Sequence, residues 1–241
     1  MQTYRRAIAV ATFGFCLNAH ALVIDDFSVP QATLTDTTVD GHGVTSQVMA
    51  IDGSILGGYR DLSTVLKAGV GSSMINVSTG LLNFNTSAVT VGSGKVVWDG
   101  EHGFPGTVDP TGLGGIDLRG SGTGVRLNVA TNASFPFALT IYTDALSWTT
   151  VETTAVVGSF VYTFPFADFT NPLLCGNGAV LCGSSGVVNV SDVGALELDL
   201  NHHSTIAVEA SIGSLSVVPE PNILSLIGIS LCLVAAVRTR R

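Results

Sequence analysis

The sequence predicts an all-β protein in which a single β-sandwich lies between an N-terminal signal peptide and a C-terminal transmembrane helix. Short runs of β-branched and aromatic residues recur along the chain and are separated by Gly, Asn and Asp, which is typical of strands joined by tight turns. Between residues 22 and 217 no stretch repeats apolar side chains at the spacing of an amphipathic helix. These 196 residues (217 − 22 + 1) suit one sandwich domain.

The N-terminus has the three parts of a secretory signal peptide. Two arginines precede an apolar stretch of residues 7–17, and Ala19-His20-Ala21 follows as a small-x-small cleavage site. We therefore expect export through the Sec translocon and removal of residues 1–21 by signal peptidase. The mature protein would then begin at Leu22.

The last 24 residues, 218–241, form a second segment concerned with export. Prolines on both sides of Glu220 keep the segment extended and prevent a helix from starting earlier. Residues 222–237 carry no charge, and as a helix they would span about 24 Å, slightly less than the hydrocarbon core of roughly 30 Å. Arg238, Arg240 and Arg241 then stop transfer and stay cytoplasmic. The tail predicts a marginal membrane anchor.

The order of rigid motif, short apolar helix and arginine-rich end in this tail resembles the PEP-CTERM sorting signal of Gram-negative bacteria. Val218, Pro219, Glu220 and Pro221 match the core motif of that family. The resemblance implies that an exosortase, a membrane-embedded cysteine peptidase, recognises these residues and removes the tail. It also implies export through the inner membrane, transient anchoring there, and a final place at the cell surface or outside the cell. A plain membrane anchor is the alternative, but it needs no such motif and is usually longer.

The predicted domain is acidic. Residues 22–217 contain 17 acidic and five basic residues, which gives a net charge of −12. Such a surface repels nucleic acid and anionic lipid headgroups, so we exclude a nucleic-acid partner. Two interpretations of the acidic residues remain: they keep an exported protein soluble, or some of them attract Ca²⁺.

Cys175 and Cys182 are the cysteines of the predicted domain, because Cys16 lies in the signal peptide and Cys232 in the apolar tail. They flank a Gly-rich loop in a protein expected to be exported, where thiols are usually oxidised. A metal site would need further ligands nearby, and a redox pair is more often spaced Cys-x-x-Cys. The pair therefore predicts a structural disulfide.

The domain divides into short segments in which apolar side chains recur at every second position. Residues 135–141 and 196–200 show the clearest alternation. Residues 116–119 and 125–129 are expected to pair across a glycine-rich turn. The predicted strands are 22–27, 32–39, 44–51, 60–66, 74–77, 81–84, 88–91, 95–98, 116–119, 125–129, 135–141, 156–164, 196–200 and 206–212.

Five segments of the domain follow one another in an order that also occurs in a known family. They are Ile24-Asp25-Asp26-Phe27, residues 56–60, residues 115–119, residues 160–169 and the strand pair within 196–217. Their order resembles galactose-binding-like jelly-roll domains of carbohydrate-binding modules, which implies a jelly-roll-like sandwich and supports a fold more than a ligand. Because such modules often hold a structural Ca²⁺ near the first strand, Asp25 and Asp26 are candidate ligands for that ion. No other cofactor is expected.

Aromatic residues are the candidates for sugar binding, because pyranose rings stack on exposed Trp and Tyr. The domain offers Trp98, Trp148, Tyr59 and Tyr142. In a β-sandwich such residues are often partly buried in the core or at the rim, so both roles stay open.

His202 and His203 are adjacent and follow a predicted strand. In an extended chain neighbouring side chains point to opposite faces, so the two imidazoles could share one ion only if the chain bends. We expect them in a solvated turn.

Asp99, Glu101 and His102 open a long loop, where solvated residues and an acid–base site are the alternatives. A glycoside hydrolase needs paired carboxylates at a fixed separation across a cleft, and Asp144 is a further acid to consider. The chain has no nucleophile-elbow, zinc-protease or phosphate-loop motif.

We therefore expect a non-enzymatic surface or extracellular-matrix protein with a structural or adhesive role, sorted and processed by an exosortase. The alternative is a carbohydrate-binding module for exopolysaccharide, and a less favoured reading is an extracellular hydrolase. Loss of polysaccharide retention on changing Trp98 or Trp148 would favour the module, whereas paired acids facing one cleft would favour the hydrolase.

Overall fold

The computed structural model describes residues 21–101, 104–203 and 205–219, and Ala21–Pro219 form a compact unit. The signal peptide up to His20, His102, and the tail from Glu220 onward lie outside the described residues. The PEP-CTERM motif beyond Pro219, the apolar helix and the three terminal arginines therefore stay predictions. In the described ranges no helix is long and apolar enough to cross a membrane.

The described chain is built almost entirely of strands, which confirms the all-β class. A short helix, α1, spans Phe166–Thr170, and 3-10 turns lie at Leu56–Gly58, Arg119–Ser121 and Pro172–Leu174. The strands are β1 Val23–Asp25, β2 Gln31–Asp36, β3 Val44–Met49, β4 Tyr59–Ala68, β5 Ser73–Ser78, β6 Leu81–Thr86, β7 Val91–Trp98, β8 Gly124–Thr131, β9 Phe135–Tyr142, β10 Trp148–Ala155, β11 Gly158–Pro165, β12 Val180–Cys182, β13 Ala195–Leu200, β14 Glu209–Ile212 and β15 Leu215–Val218.

These strands form two antiparallel sheets packed as a sandwich. The front sheet has the order β12-β10-β9-β13-β7-β4-β3, and the back sheet has the order β1-β15-β8-β14-β6-β5-β2, with β11 paired to β8. The chain passes repeatedly from one sheet to the other, for example from β6 to β7, from β7 to β8 and from β8 to β9. This alternation gives the jelly-roll-like sandwich that was predicted, with its core between the sheets.

The clearest alternating segments of the sequence become core strands of the front sheet. The apolar side chains at alternate positions of 135–141 and 196–200 are all completely buried. Phe137 on β9 reaches across the sandwich and meets Tyr162 and Phe164 edge to face, at centroid distances of 5.1 and 5.7 Å. Each such buried ring stabilises the fold by about 1.5–3 kcal/mol through removal from water, and the edge contacts add to that.

Two predicted strands are wrong and three strands were missed. Residues 88–90 form a turn in which Thr90 N donates to Ser87 O, and β7 starts only at Val91. Residues 116–119 do not pair with β8, because Asp117 accepts a bond from Gly120 N and turns the chain into a 3-10 turn. The missed strands are β10, β12 and β15. Four of the eight residues of β10 are threonine and they lie on both faces, so the strand shows no apolar period of two.

The predicted disulfide is present, between Cys175 and Cys182 with a Cα–Cα distance of 5.4 Å. The second cysteine ends β12, which pairs with β10 at the edge of the front sheet. The bond therefore ties the loop after α1 to that edge.

A buried ion pair joins the first strand to the front sheet. Both carboxylate oxygens of Asp25 accept from Arg60 Nη1, at 3.1 and 3.0 Å, and both side chains are completely buried. Trp98 Nε1 and Phe27 N donate to the same carboxylate, and Arg60 Nε donates to Gln31 Oε1 at 2.9 Å. Burial raises the pKa of Asp25, although Arg60 and the other donors oppose that rise. The pair is stable only as a complete set of partners.

Asp25→Asn should destabilise the fold by about 3–5 kcal/mol, because it leaves the Arg60 guanidinium buried without a counter-charge. The matched control is Asp26→Asn at the next residue, which is exposed and whose side-chain oxygen caps Ser28 N. An Asn can keep that bond, so we expect a change within about 0.5 kcal/mol. Urea unfolding of both variants measures the difference, and equal midpoints would contradict a structural role for the ion pair.

Candidate functional site

The candidate site lies on the outer surface of the front sheet, which we call the front face. Successive side chains of β13 point to opposite faces of the sheet. The leucines point into the core, and Glu197 and Asp199 therefore point outward. Glu197 stands in register with Val97 on β7 and Thr140 on β9. These neighbours are themselves 3% exposed and Glu197 is 5% exposed, so the middle of the front face is sheltered from water.

A small charge network occupies this sheltered surface. Lys95 Nζ lies 2.9 Å from Glu197 Oε1 and 3.9 Å from Asp199 Oδ1. Burial and the nearby charge of Asp199 raise the pKa of Glu197 to about 7, and Lys95 only partly opposes this. Burial by itself would lower the pKa of Lys95, but the two carboxylates outweigh it and raise that pKa. At neutral pH the network therefore contains a carboxyl group that can either donate or accept a hydrogen bond.

Two aromatic side chains lie next to this network. Tyr142 on β9 and Trp148 on β10 are cross-strand partners, with ring centroids 6.5 Å apart, and both are partly exposed. Burial, followed by the charges of Glu197 and Asp199, raises the pKa of the Tyr142 phenol, so it stays a hydrogen-bond donor. The pair thus combines ring faces with a polar group.

The edge of the sheet beyond Trp148 is held by the disulfide loop. Gly183, directly after Cys182, donates its N–H to Trp148 O at 2.8 Å. A side chain at Gly183 would meet the indole, since a Cβ there would lie 2.9 Å from Trp148 Cδ1. The oxidised loop therefore supports the indole from one side.

The long loop after β7 borders the front face at the same end of the sheet. Asp99 is buried, and its Oδ2 accepts from Asp109 N at 2.7 Å. Leu113 N donates to Gly194 O, just before β13, and a Cβ on Gly106 would lie 3.5 Å from the Thr45 methyl group on β3. The loop therefore borders the front face on this side. Its Phe104 side chain is 75% exposed.

The structure separates the predicted sugar-binding residues. Trp148 and Tyr142 lie together on the front face, but the expectation for Trp98 is wrong. Its ring is completely buried and its Nε1 donates to Asp25. Tyr59 lies on β4, which β7 and β13 separate from β9, beside an open pocket of about 450 Å³ lined by Met49 and Ile51 among others.

The calcium expectation for Asp25 and Asp26 does not fit the geometry. Both oxygens of Asp25 are engaged by Arg60, Trp98 and the Phe27 N–H inside the core. Ca²⁺ takes 6–8 oxygen ligands, typically about 2.4 Å away, and a guanidinium already fills the position facing this carboxylate. Asp26 is exposed and caps Ser28 N.

His202 and His203 do not point to opposite faces. The chain bends at Asn201, whose φ of 55° lies in the left-handed region, and both imidazoles turn toward β10. Each has its Nε2 against the same Oε2 of Glu152, at 2.9 and 3.1 Å. Burial would raise the pKa of Glu152, but the bonds and charges from the two histidines outweigh it and lower that pKa.

The acids considered for hydrolysis have separate local roles. Asp99 holds the long loop, and Asp144 Oδ1 accepts from Leu146 N and Ser147 N in the turn after β9. Glu101 is exposed at the start of the loop, and His102 lies outside the described residues. These contacts give Asp99 and Asp144 structural functions.

The sequence did not single out Lys95, Glu197, Asp199 or Glu152. A usable signal was the scarcity of basic residues: the predicted domain has five, and Lys95 lies in a strand that reads as otherwise apolar or small. The alternation in β13 gave no sign that Glu197 is buried, because the strands on either side of it are distant in sequence.

The arrangement on the front face is suited to hold a neutral, hydroxyl-rich ligand. Ring faces contact the apolar faces of sugars, and the carboxylates, the ammonium and the phenol exchange hydrogen bonds with hydroxyl groups. The surrounding negative charge disfavours anionic ligands.

Comparison with known proteins finds likeness in solved structures alone. No protein-family model matches the chain, and no curated protein matches it significantly. A family 30 carbohydrate-binding module of a cellulosomal cellulase from Clostridium thermocellum is 11% identical, with 84% of this chain and 99% of that chain covered and a TM-score of 0.39. A family 11 carbohydrate-binding module from the same organism is 10% identical, with 82% of this chain and 94% of that chain covered and a TM-score of 0.37. An exo-β-agarase gives 12% identity and a TM-score of 0.39, with 83% of this chain but a quarter (25%) of that chain covered.

Glu197→Gln should flatten the dependence of stability on pH. The pKa of Glu197 rises from 4.5 in the unfolded chain to about 7 in the folded protein. The folded state therefore holds more protons between these values, and its stability falls as pH rises through that window. The neutral amide cannot ionise, so the variant should melt higher than the wild type above pH 7. Melting temperatures across the window test this, with exposed Glu209→Gln as the control; a slope unchanged in Glu197→Gln would contradict it.

Proposed function

We propose that this protein is an exported, non-catalytic binding module that holds a neutral polysaccharide on its front face. The observation that carries the proposal is the placement of Tyr142 and Trp148 beside Glu197 on neighbouring strands of one sheet. A jelly-roll-like sandwich keeps these strands rigid, so the ligand would meet a surface formed in advance, which lowers the entropic cost of binding.

The electrostatics support a neutral ligand rather than an acidic one. Lys95 is already shared between Glu197 and Asp199, so it has little charge left to attract an anion. Glu197 with a pKa of about 7 can donate to one hydroxyl and accept from another. Sugar hydroxyls both donate and accept, so they match such a group.

We further propose that an exosortase places the module at the cell surface or in the extracellular matrix. The motif Val218-Pro219-Glu220-Pro221 supports this by its sequence. It begins at the end of the last strand, β15, whose Val218 O still accepts from Thr123 N. Cleavage after this point would leave the described domain whole, and the disulfide suits an oxidising compartment.

Trp148→Ala should weaken binding to neutral polysaccharides by at least about tenfold, which corresponds to 1.4 kcal/mol. The reason is the loss of the stacking surface beside Tyr142. Affinity electrophoresis in gels containing soluble neutral and acidic polysaccharides, followed by titration with the best binder, measures the effect.

The matched control is Phe160→Ala, an aromatic side chain 47% exposed on β11 of the back sheet. It should bind like the wild type. Retention of no polysaccharide by the wild type, or equal weakening in both variants, would refute the front face as the site.

The sorting proposal predicts two masses for the native protein. Intact mass measured on membrane, surface and medium fractions should show loss of residues 1–21 throughout. In the surface or medium fraction it should also show loss of the segment after the PEP motif. Glu220→Ala should block the second cleavage and leave the protein in the membrane fraction. A complete C-terminus in every fraction of the wild type would contradict the proposal.

A further inference from the structure

We propose that Glu152, His202 and His203 bind a divalent transition-metal ion of the Zn²⁺ type. The ligand atoms of the three side chains all lie within 4.8 Å of one another, and both Nε2 atoms already face one oxygen of Glu152. Two imidazoles and one carboxylate form a ligand set that binds zinc while leaving a coordination position open. The oxygen-preferring ions Ca²⁺ and Mg²⁺ suit this set less well.

Little movement separates the present geometry from coordination. In a tetrahedral site with bonds of about 2.1 Å, neighbouring ligand atoms are about 3.4 Å apart. The Nε2–Oε2 distances are 2.9 Å for His202 and 3.1 Å for His203. Both nitrogen–oxygen distances are thus within a few tenths of an ångström of those in a coordinated site, and the ligand atoms of the two histidines lie within 4.8 Å of each other.

The turn that carries the histidines is fixed from within. Asn201 is completely buried, and its Nδ2 donates to Gly92 O at 2.8 Å and to Thr205 O at 2.7 Å. Thr205 N donates back to Asn201 Oδ1 at 2.9 Å, and Lys67 Nζ donates to His202 O at 3.0 Å. These bonds hold the imidazole rings at a centroid distance of 4.1 Å. The ligands are thus oriented before an ion arrives.

The site can be reached from solvent. His203 is 63% exposed and Glu152 is 31% exposed. Glu152 stands opposite Ala138 on β9, at the outer surface of the sheet. Water or a ligand hydroxyl can therefore occupy the remaining coordination position.

Support from the surrounding residues is uneven. In the part of the chain that the structure describes, His202 Nδ1 is buried and has no hydrogen-bond partner. A metal-bound imidazole normally donates this N–H, and loss of the partner costs about 10–100-fold in affinity. We therefore expect binding weaker by that factor than at a site with two supported histidines.

Isothermal titration of the purified, EDTA-treated protein with ZnCl₂ tests the proposal. The wild type should bind one Zn²⁺ per chain at this site, and Co²⁺ in its place should give the visible absorption of a tetrahedral nitrogen–oxygen site. His203→Asn and Glu152→Gln should each weaken binding at least about tenfold. Zn²⁺ should raise the melting temperature of the wild type but not of His203→Asn.

His42→Asn is the matched control, because His42 is an exposed histidine in the turn between β2 and β3. It should bind Zn²⁺ like the wild type. Since His203 is largely exposed, its variant should keep the fold, which circular dichroism checks. Absence of Zn²⁺ binding by the wild type, or equal affinity of the wild type and His203→Asn, would overturn the proposal.

Discussion

The ion pair between Asp25 and Arg60 is the constraint on which the architecture depends. Asp25 lies on β1 of the back sheet, and Arg60 lies on β4 of the front sheet, so the pair bridges the sandwich. Trp98 and Phe27 donate to the carboxylate as well, and Gln31 and Val29 accept from the guanidinium. Desolvation opposes burial of both charges, which is why burial raises the pKa of Asp25 even beside a guanidinium. Loss of one partner alone would leave the other charge buried without a counter-charge.

This cluster also explains why two candidate residues are engaged elsewhere than the sequence suggested. Trp98 was a candidate for sugar stacking and Asp25 for calcium, and each residue type suits the role assigned to it. The same properties, a large ring with one N–H and a carboxylate with two acceptors, suit a buried polar cluster equally well. What decides between the roles is Arg60, which lies 35 positions away from Asp25 in the chain. A pattern of neighbouring residues carries no information about such a partner.

Elements whose signal is local were predictable, and those that depend on distant strands were not. The alternation in β9 and β13 specified both strands and their core faces, because a period of two allows only one face to be buried. The disulfide could be predicted from the expected oxidising compartment and from the positions of Cys175 and Cys182 around one loop. The turn at His202 and His203 was expected, but the meeting of both imidazoles with Glu152 was not, because Glu152 lies 50 and 51 positions away in the chain. The shelter of Glu197 by Val97 and Thr140 was equally invisible, because those residues come from other parts of the chain.

Scarcity of positive charge shapes the front face. The predicted domain has 17 acidic residues and five basic ones, and Arg60 is committed to the core. Lys95 must therefore serve two carboxylates, which it cannot neutralise fully. Glu197 takes up a proton more readily and so compensates for the remaining negative charge, which raises its pKa to about 7. A half-protonated carboxyl beside an aromatic pair is a poor partner for anions and a good one for hydroxyl groups. The same charge imbalance therefore supports the proposal that this face binds neutral, hydroxyl-rich ligands.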